Sequence, residues 1–107
     1  MSMSVNSLHL RLGLDIGSTT VKAVVMEAKQ KNILFSAYKR HHACQAETVK
    51  SVLSDIRFRF SDALFCAAVC GSGGKPIADA LGVPYVQEVV ANAIAVRTFY
   101  PQTRVAI

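Results

Sequence analysis

Asp15, Gly17, Ser18, Thr19, Thr20 and Lys22 fall within one short stretch, Leu14-Asp15-Ile16-Gly17-Ser18-Thr19-Thr20-Val21-Lys22. A carboxylate, a glycine, three consecutive hydroxyls and an ammonium, in that order, are what a phosphate-binding turn needs. Glycine reaches backbone angles closed to other residues. A tight turn can then aim several N–H groups at one point, forming a concavity for an anion. Ser18, Thr19 and Thr20 add hydroxyl donors, and Lys22 adds a compact positive charge suited to phosphate. Asp15 repels phosphate on its own. It makes sense beside one only if a cation such as Mg2+, which prefers oxygen ligands and keeps several waters, lies between them. An ordinary hairpin with a polar turn fits the same spacing, because Gly, Ser and Thr are common turn residues.

The elements that must hold these groups are legible on both sides. Leu10, Leu12, Leu14 and Ile16 alternate with Arg11, Gly13 and Asp15. That period of two predicts a strand over 8–16. Val21, Ala23 and Val25 alternate likewise and predict a second strand over 20–28. Lys29-Gln30-Lys31-Asn32 is a polar turn. A third strand follows over 33–39, with Ile33, Phe35 and Ala37 on one face. Residues 1–7 read as a loose polar leader ahead of one domain over 8–107.

Val49, Val52, Leu53, Ile56 and Phe60 recur at helical spacing and predict an amphipathic helix. The unbroken apolar run over 63–69 suits a buried strand. It ends at Gly71-Ser72-Gly73-Gly74-Lys75. Pro76 suits the first turn of a short helix, and Gly82 its end. Residues 83–86 read as a short extended piece, 87–100 as another amphipathic helix stopped by Pro101, and 104–107 as a strand beginning. The order is β-β-β-α-β-α-α-β. Links through helices imply parallel pairing of the later strands. This is the plan of a ribonuclease H-like α/β domain, a mixed sheet flanked by helices. A chain that stops inside an apolar strand reads as a fragment of a longer protein, and an open strand at Ile107 invites pairing with a second copy.

The remaining chemistry is thinner. The chain has 107 residues, 51% hydrophobic and 18% charged, which predicts one packed domain rather than disorder. No signal peptide pattern and no long apolar span are present, so a membrane location is not expected. The net charge of +5 suits an anionic ligand. Arg57 and Arg59 on a helix would suit nucleic acid, although a solvated face is the ordinary reason for such residues. Cys44, Cys66 and Cys70 match no zinc spacing. Cys66 and Cys70 read as buried core residues in a reducing cytoplasm. Cys44 beside His41 and His42 reads as a solvated loop, with a metal site as the alternative.

With these residues in place, the stretch from Leu14 to Lys22 resembles the first phosphate loop of the acetate-kinase, sugar-kinase, heat-shock chaperone and actin superfamily. Three further segments are similar to the activators of 2-hydroxyacyl-CoA dehydratases and to the related ATPase subunits of benzoyl-CoA reductase. They run from Ile33-Leu34-Phe35-Ser36 to Arg40-His41, through Cys70-Gly71-Ser72-Gly73-Gly74-Lys75, and from Ala80-Leu81-Gly82 to Glu88-Val89-Val90. The likeness is to the N-terminal part of the large CoA-substrate-specific enzyme activases, and it covers about 10–107.

The resemblance implies an actin-like ATPase subdomain with ATP and Mg2+ as cofactors. Asp15 would orient Mg2+ through water. Gly17, Ser18, Thr19 and Thr20 would cradle the phosphates, and Lys22 would assist unless its side chain points away. Gly71, Ser72 and Gly73 would line the phosphate end of the cleft, though a turn that merely caps a helix fits as well. Glu88 would polarise the attacking water, though a first-turn glutamate also suits the helix dipole. In the family, ATP hydrolysis drives an electron from a [4Fe-4S] cluster onto a dehydratase or reductase component. The second phosphate loop, the adenosine residues and the cluster cysteines of the family match nothing in this sequence. The chain would therefore hold half of an ATP site and be inactive alone.

A ribonuclease H-type nuclease also begins with an aspartate on its first strand, but it needs further carboxylates for two metals. A sugar kinase has nearly the same first loop, while the segment over 71–90 fits the activases better. A non-catalytic interaction module is a fourth reading.

Overall fold

A computed structural model describes residues 9–30 and 32–87. Its elements are β1 (His9–Ile16), β2 (Thr20–Glu27), β3 (Ile33–Arg40), α1 (Gln45–Arg59), β4 (Leu64–Cys70) and α2 (Gly74–Leu81). The helix expected over 87–100, the strand at 104–107, the leader over 1–7 and Glu88 lie outside the described residues, Gln87 excepted.

The four strands form one mixed sheet in the order β3-β2-β1-β4. β1 pairs antiparallel with β2, Leu14 opposite Ala23 and Asp15 opposite Lys22. It pairs parallel with β4, Asp15 opposite Cys70. Alternation sends Leu10, Leu12, Leu14 and Ile16 to one face, joined there by Val21, Ala23, Val25 and Val69. Val49, Val52 and Ile56 of α1 and Ala78 of α2 close that face into the core. The predicted helical stripe of α1 is therefore the one buried. Gly82 ends α2 in the left-handed conformation at φ 69°, as a terminal glycine should.

Three expectations are corrected. Ile33 does not share a face with Phe35 and Ala37. The β2–β3 register shifts between Val25 and Met26, so Phe35 lies opposite Val25 but Ile33 lies opposite the outward Met26. Leu34 is the extra residue of this bulge, and a one-residue slip moves a side chain to the other face. Cys66 is exposed and Cys70 only half-buried, so neither is a core residue. Both lie on the face of β4 opposite Val69, where neither α1 nor α2 packs. Along β4 only Val69 is buried, because β4 is the last strand of the described sheet. The apolar run reads as fully buried only if both faces are covered.

Candidate functional site

The topology gathers the chemistry at one end of the sheet. β1 and β4 run parallel and finish together at Asp15–Ile16 and Cys70. β2 starts there and β3 finishes there, Thr20 opposite Arg40. The turn at 17–19, the turn at 71–73 and the start of α1 are therefore neighbours. In sheets of this kind ligands bind beyond the carboxyl ends of the strands.

The first turn is a tight hairpin in which Gly17 N–H donates to the Thr20 carbonyl at 2.9 Å. Ser18 and Thr19 form its exposed tip. Contrary to expectation, Gly17 does not use angles closed to other residues: only Gly71 and Gly82 among the described glycines have positive φ. A Cβ on Gly17 would meet nothing closer than 3.7 Å.

The glycine that the backbone requires is Gly71, at φ 98°. A Cβ there would strike the Ile16 carbonyl oxygen, lie 2.6 Å from Ile16 N and 2.5 Å from Asp15 Oδ1. The second turn is thus pressed onto the end of β1. Gly73 N–H donates to the Ile16 carbonyl at 2.8 Å, and Gly74 N–H to the Gly71 carbonyl at 3.0 Å. Tyr85 Oη–H donates to the Gly71 carbonyl at 2.9 Å from the far side. Tyr85 is held by the β4 edge, where Val86 N–H donates to the Val69 carbonyl at 2.8 Å. Ser72 stays exposed.

Asp15 sits between the two turns. It is half-buried, and its carboxylate has no hydrogen bond or ion pair among the described residues. Lys22 is its cross-strand neighbour, but the Lys22 ammonium lies over the Tyr38 ring, 5.7 Å from its centroid. Lys75 pairs with Asp79 one helical turn on, at 3.1 Å, along the exposed side of α2. Arg59 does not join Arg57 in a basic stripe, since its guanidinium stacks over Phe35, 5.1 Å from the ring centroid.

His41 departs from the solvated-loop expectation. It is 4% exposed, while His42 and Cys44 are exposed as expected. His41 Nε2 lies 3.0 Å from the Gly17 carbonyl oxygen, and Nδ1 accepts the Ala43 N–H at 3.1 Å. Gln45 Nε2–H donates to the same Gly17 carbonyl at 3.2 Å. In the sequence His41 reads only as a loop residue or a metal ligand and Gln45 draws no role, yet a signal for both is present. The alternation of Phe35, Ala37 and Lys39, carried one step further, reaches His41. Gln45 lies four residues before Val49 on the buried side of α1.

Among the described residues no three His, Cys, Asp or Glu side chains gather as a metal site. A metal held by protein ligands alone, such as a zinc site at His41, His42 and Cys44, does not fit. A hydrated cation that takes phosphate oxygens as ligands does, because it asks the protein for only one carboxylate. No described helix is long and apolar enough to cross a membrane.

The same fold occurs in a solved protein. The crystal structure of the Aquifex aeolicus member of the Ppx/GppA protein family superposes with a TM-score of 0.53 at 12% identity, covering 88% of this chain. The match takes in 41% of that neighbour's length. No protein-family model matches the chain, and no curated protein does. The architecture is therefore a ribonuclease H-like mixed α/β sheet, compatible with the first subdomain of an actin-like ATPase fold.

Proposed function

We propose that this chain binds the phosphate end of Mg·ATP between its two turns, as the first half of an actin-like ATPase site. One observation carries the reading: a half-buried Asp15 carboxylate on the inner strand β1, without a partner among the described residues, flanked by the exposed Ser18–Thr19 tip and by a glycine turn packed onto the same strand end. Asp15 would hold a hydrated Mg2+. Ser18, Thr19 and Thr20 donate to phosphate oxygens, with Gly17 keeping the hairpin bare enough for close approach. Gly71, Ser72 and Gly73 wall the opposite side. Lys22 adds positive charge beside Asp15 but is engaged with Tyr38, so its part is the smaller one. Bound Mg2+ would offset charge on the phosphates. Glu88 polarises the attacking water.

The finer reading is an activase, supported by the segments of sequence similar to the 2-hydroxyacyl-CoA dehydratase activators. ATP hydrolysis by the parent protein would then drive electron transfer onto a dehydratase or aryl-CoA reductase component. The [4Fe-4S] cluster of that chemistry does not fit the described residues, where Cys44, Cys66 and Cys70 form no cluster. It is assigned to the full-length family alone. A nuclease is disfavoured because a two-metal site needs several carboxylates, and among the described residues Asp15 belongs to no group of three or more acidic, histidine or cysteine side chains.

Calorimetric titration with Mg·ATP and with Mg·pyrophosphate tests the proposal. Binding that needs Mg2+ and weakens in Asp15→Asn is expected. Binding that ignores both Mg2+ and Asp15, or preference for a nucleic-acid strand, would overturn it.

A further inference from the structure

The Gly17 carbonyl accepts two side-chain donors, from His41 and from Gln45. Both arrive from the β3–α1 junction, 24 and 28 residues away in sequence. The peptide joining Gly17 to Ser18 is planar and trans, so its C=O and N–H point in opposite directions. Holding the carbonyl toward His41 and Gln45 therefore turns the Ser18 N–H to the other side. Ser18 is exposed, and its N–H has no partner among the described residues. The clamp thus presents a free donor at the tip of the hairpin.

The His41 ring is set for this task. Because Nδ1 accepts from Ala43, the proton sits on Nε2 and is donated to Gly17. The turn that supplies the Ala43 N–H is strained, with φ 48° at His42 and 65° at Ala43. Such angles disfavour residues with a Cβ and persist where the surroundings enforce them. His41 N–H also donates to the Thr19 carbonyl at 3.0 Å, so the residue grips the hairpin by ring and backbone together. Gln45 reaches further. A Cβ on Gly73 would lie 2.5 Å from Gln45 Nε2, so this amide packs against the second turn while it bonds to the first.

We infer that His41 and Gln45 are positioning residues of the phosphate site: their clamp on the Gly17 carbonyl orients the Ser18 N–H toward a phosphate oxygen. The inference rests on the phosphate reading of the hairpin. Neither side chain touches the phosphate. Without the clamp only the hairpin's backbone bonds hold this peptide, and the aim of a donor to a charged group is lost. A hydrogen bond to a charged group corresponds to about tenfold or more in affinity.

The test uses the full chain, Mg·pyrophosphate as ligand, and the variants His41→Leu, Gln45→Leu and His41→Gln. Calorimetry reads affinity, thermal melting reads folding, and nitrogen NMR of the imidazole reads the tautomer. The wild type should show the Nε2–H tautomer. Each leucine variant should bind about tenfold or more weakly. His41→Gln keeps an amide donor at similar reach and should bind within a few-fold of wild type, even if its melting point falls. If His41→Leu fails to fold, Gln45→Leu and the tautomer still decide. Folded leucine variants with unchanged affinity, or an Nδ1–H tautomer, overturn the inference alone. A wild-type chain that binds no Mg·pyrophosphate overturns the phosphate reading, and the inference with it.

Discussion

Replacing Gly71 by alanine should be among the most damaging single-methyl changes in this chain. Two costs combine. At φ 98° a residue with a Cβ is strained, at about 1–3 kcal/mol. The new methyl would also overlap the Ile16 carbonyl oxygen and lie 2.6 Å from Ile16 N and 2.5 Å from Asp15 Oδ1. Asp15 Oδ1 can rotate away, but the Ile16 backbone belongs to β1, an inner strand of the sheet, and cannot yield cheaply. Overpacking of this kind costs about 1–3 kcal/mol. The sum is about 2–6 kcal/mol, a large share of the roughly 5–15 kcal/mol that holds a typical domain together. At about 4 °C per kcal/mol, the melting temperature should fall by roughly 8–24 °C.

Gly17→Ala is the control. Its added methyl meets nothing closer than 3.7 Å and needs no positive φ, so melting should change little. The double variant Gly71→Ala/Asp15→Ala relieves only the side-chain overlap, so it should recover a minor part of the loss. Thermal melting of the three variants beside the wild type by circular dichroism measures this. If Gly71→Ala costs no more than Gly17→Ala, the second turn is not pressed onto β1, and the two-turn site loses its geometric basis.

Other consequences are smaller and equally direct. Tyr85→Phe removes one of the two donors to the Gly71 carbonyl and should cost about 1 kcal/mol by chemical denaturation. Ala43→Gly relieves left-handed strain of about 1–2 kcal/mol but adds unfolded-chain entropy of about 0.4–1 kcal/mol. It should therefore leave stability unchanged or raise it slightly, and a clear loss in a melt would contradict the strained turn. Glu88→Gln in the full-length protein should slow ATP hydrolysis and spare ATP binding, read by phosphate release and calorimetry. Equal loss of both would remove Glu88 from the catalytic role.

The parts of the molecule that were legible in the sequence are those governed by local periodicity. The alternation of Leu10 to Ile16 and of Val21 to Val25 placed both strands of the hairpin, and the spacing of Val49, Val52 and Ile56 placed the buried stripe of α1. What escaped depends on neighbours distant in sequence. Gly17 and Gly71 look alike in a sequence, and only the approach of the second turn to Ile16 decides which one must lack a Cβ. Ile33 alternates correctly with Phe35 until a bulge at Leu34 shifts the register. Cys66 and Cys70 sit in an apolar run, yet their exposure depends on what covers the other face of β4. His41 reads as part of a solvated loop beside His42 and Cys44, although it continues the inward parity of β3 and is buried.

The central claim is that phosphate binds between the two turns with Mg2+ held at Asp15. Backbone-amide NMR of the full chain, titrated with Mg·ATP and again with ATP plus a chelator, tests it most directly. The account predicts Mg2+-dependent shifts concentrated at 17–20 and 71–74 that vanish in Asp15→Asn. Shifts centred instead on Arg57 and the exposed face of α1, or shifts that persist without Mg2+ and without the Asp15 carboxylate, would contradict it.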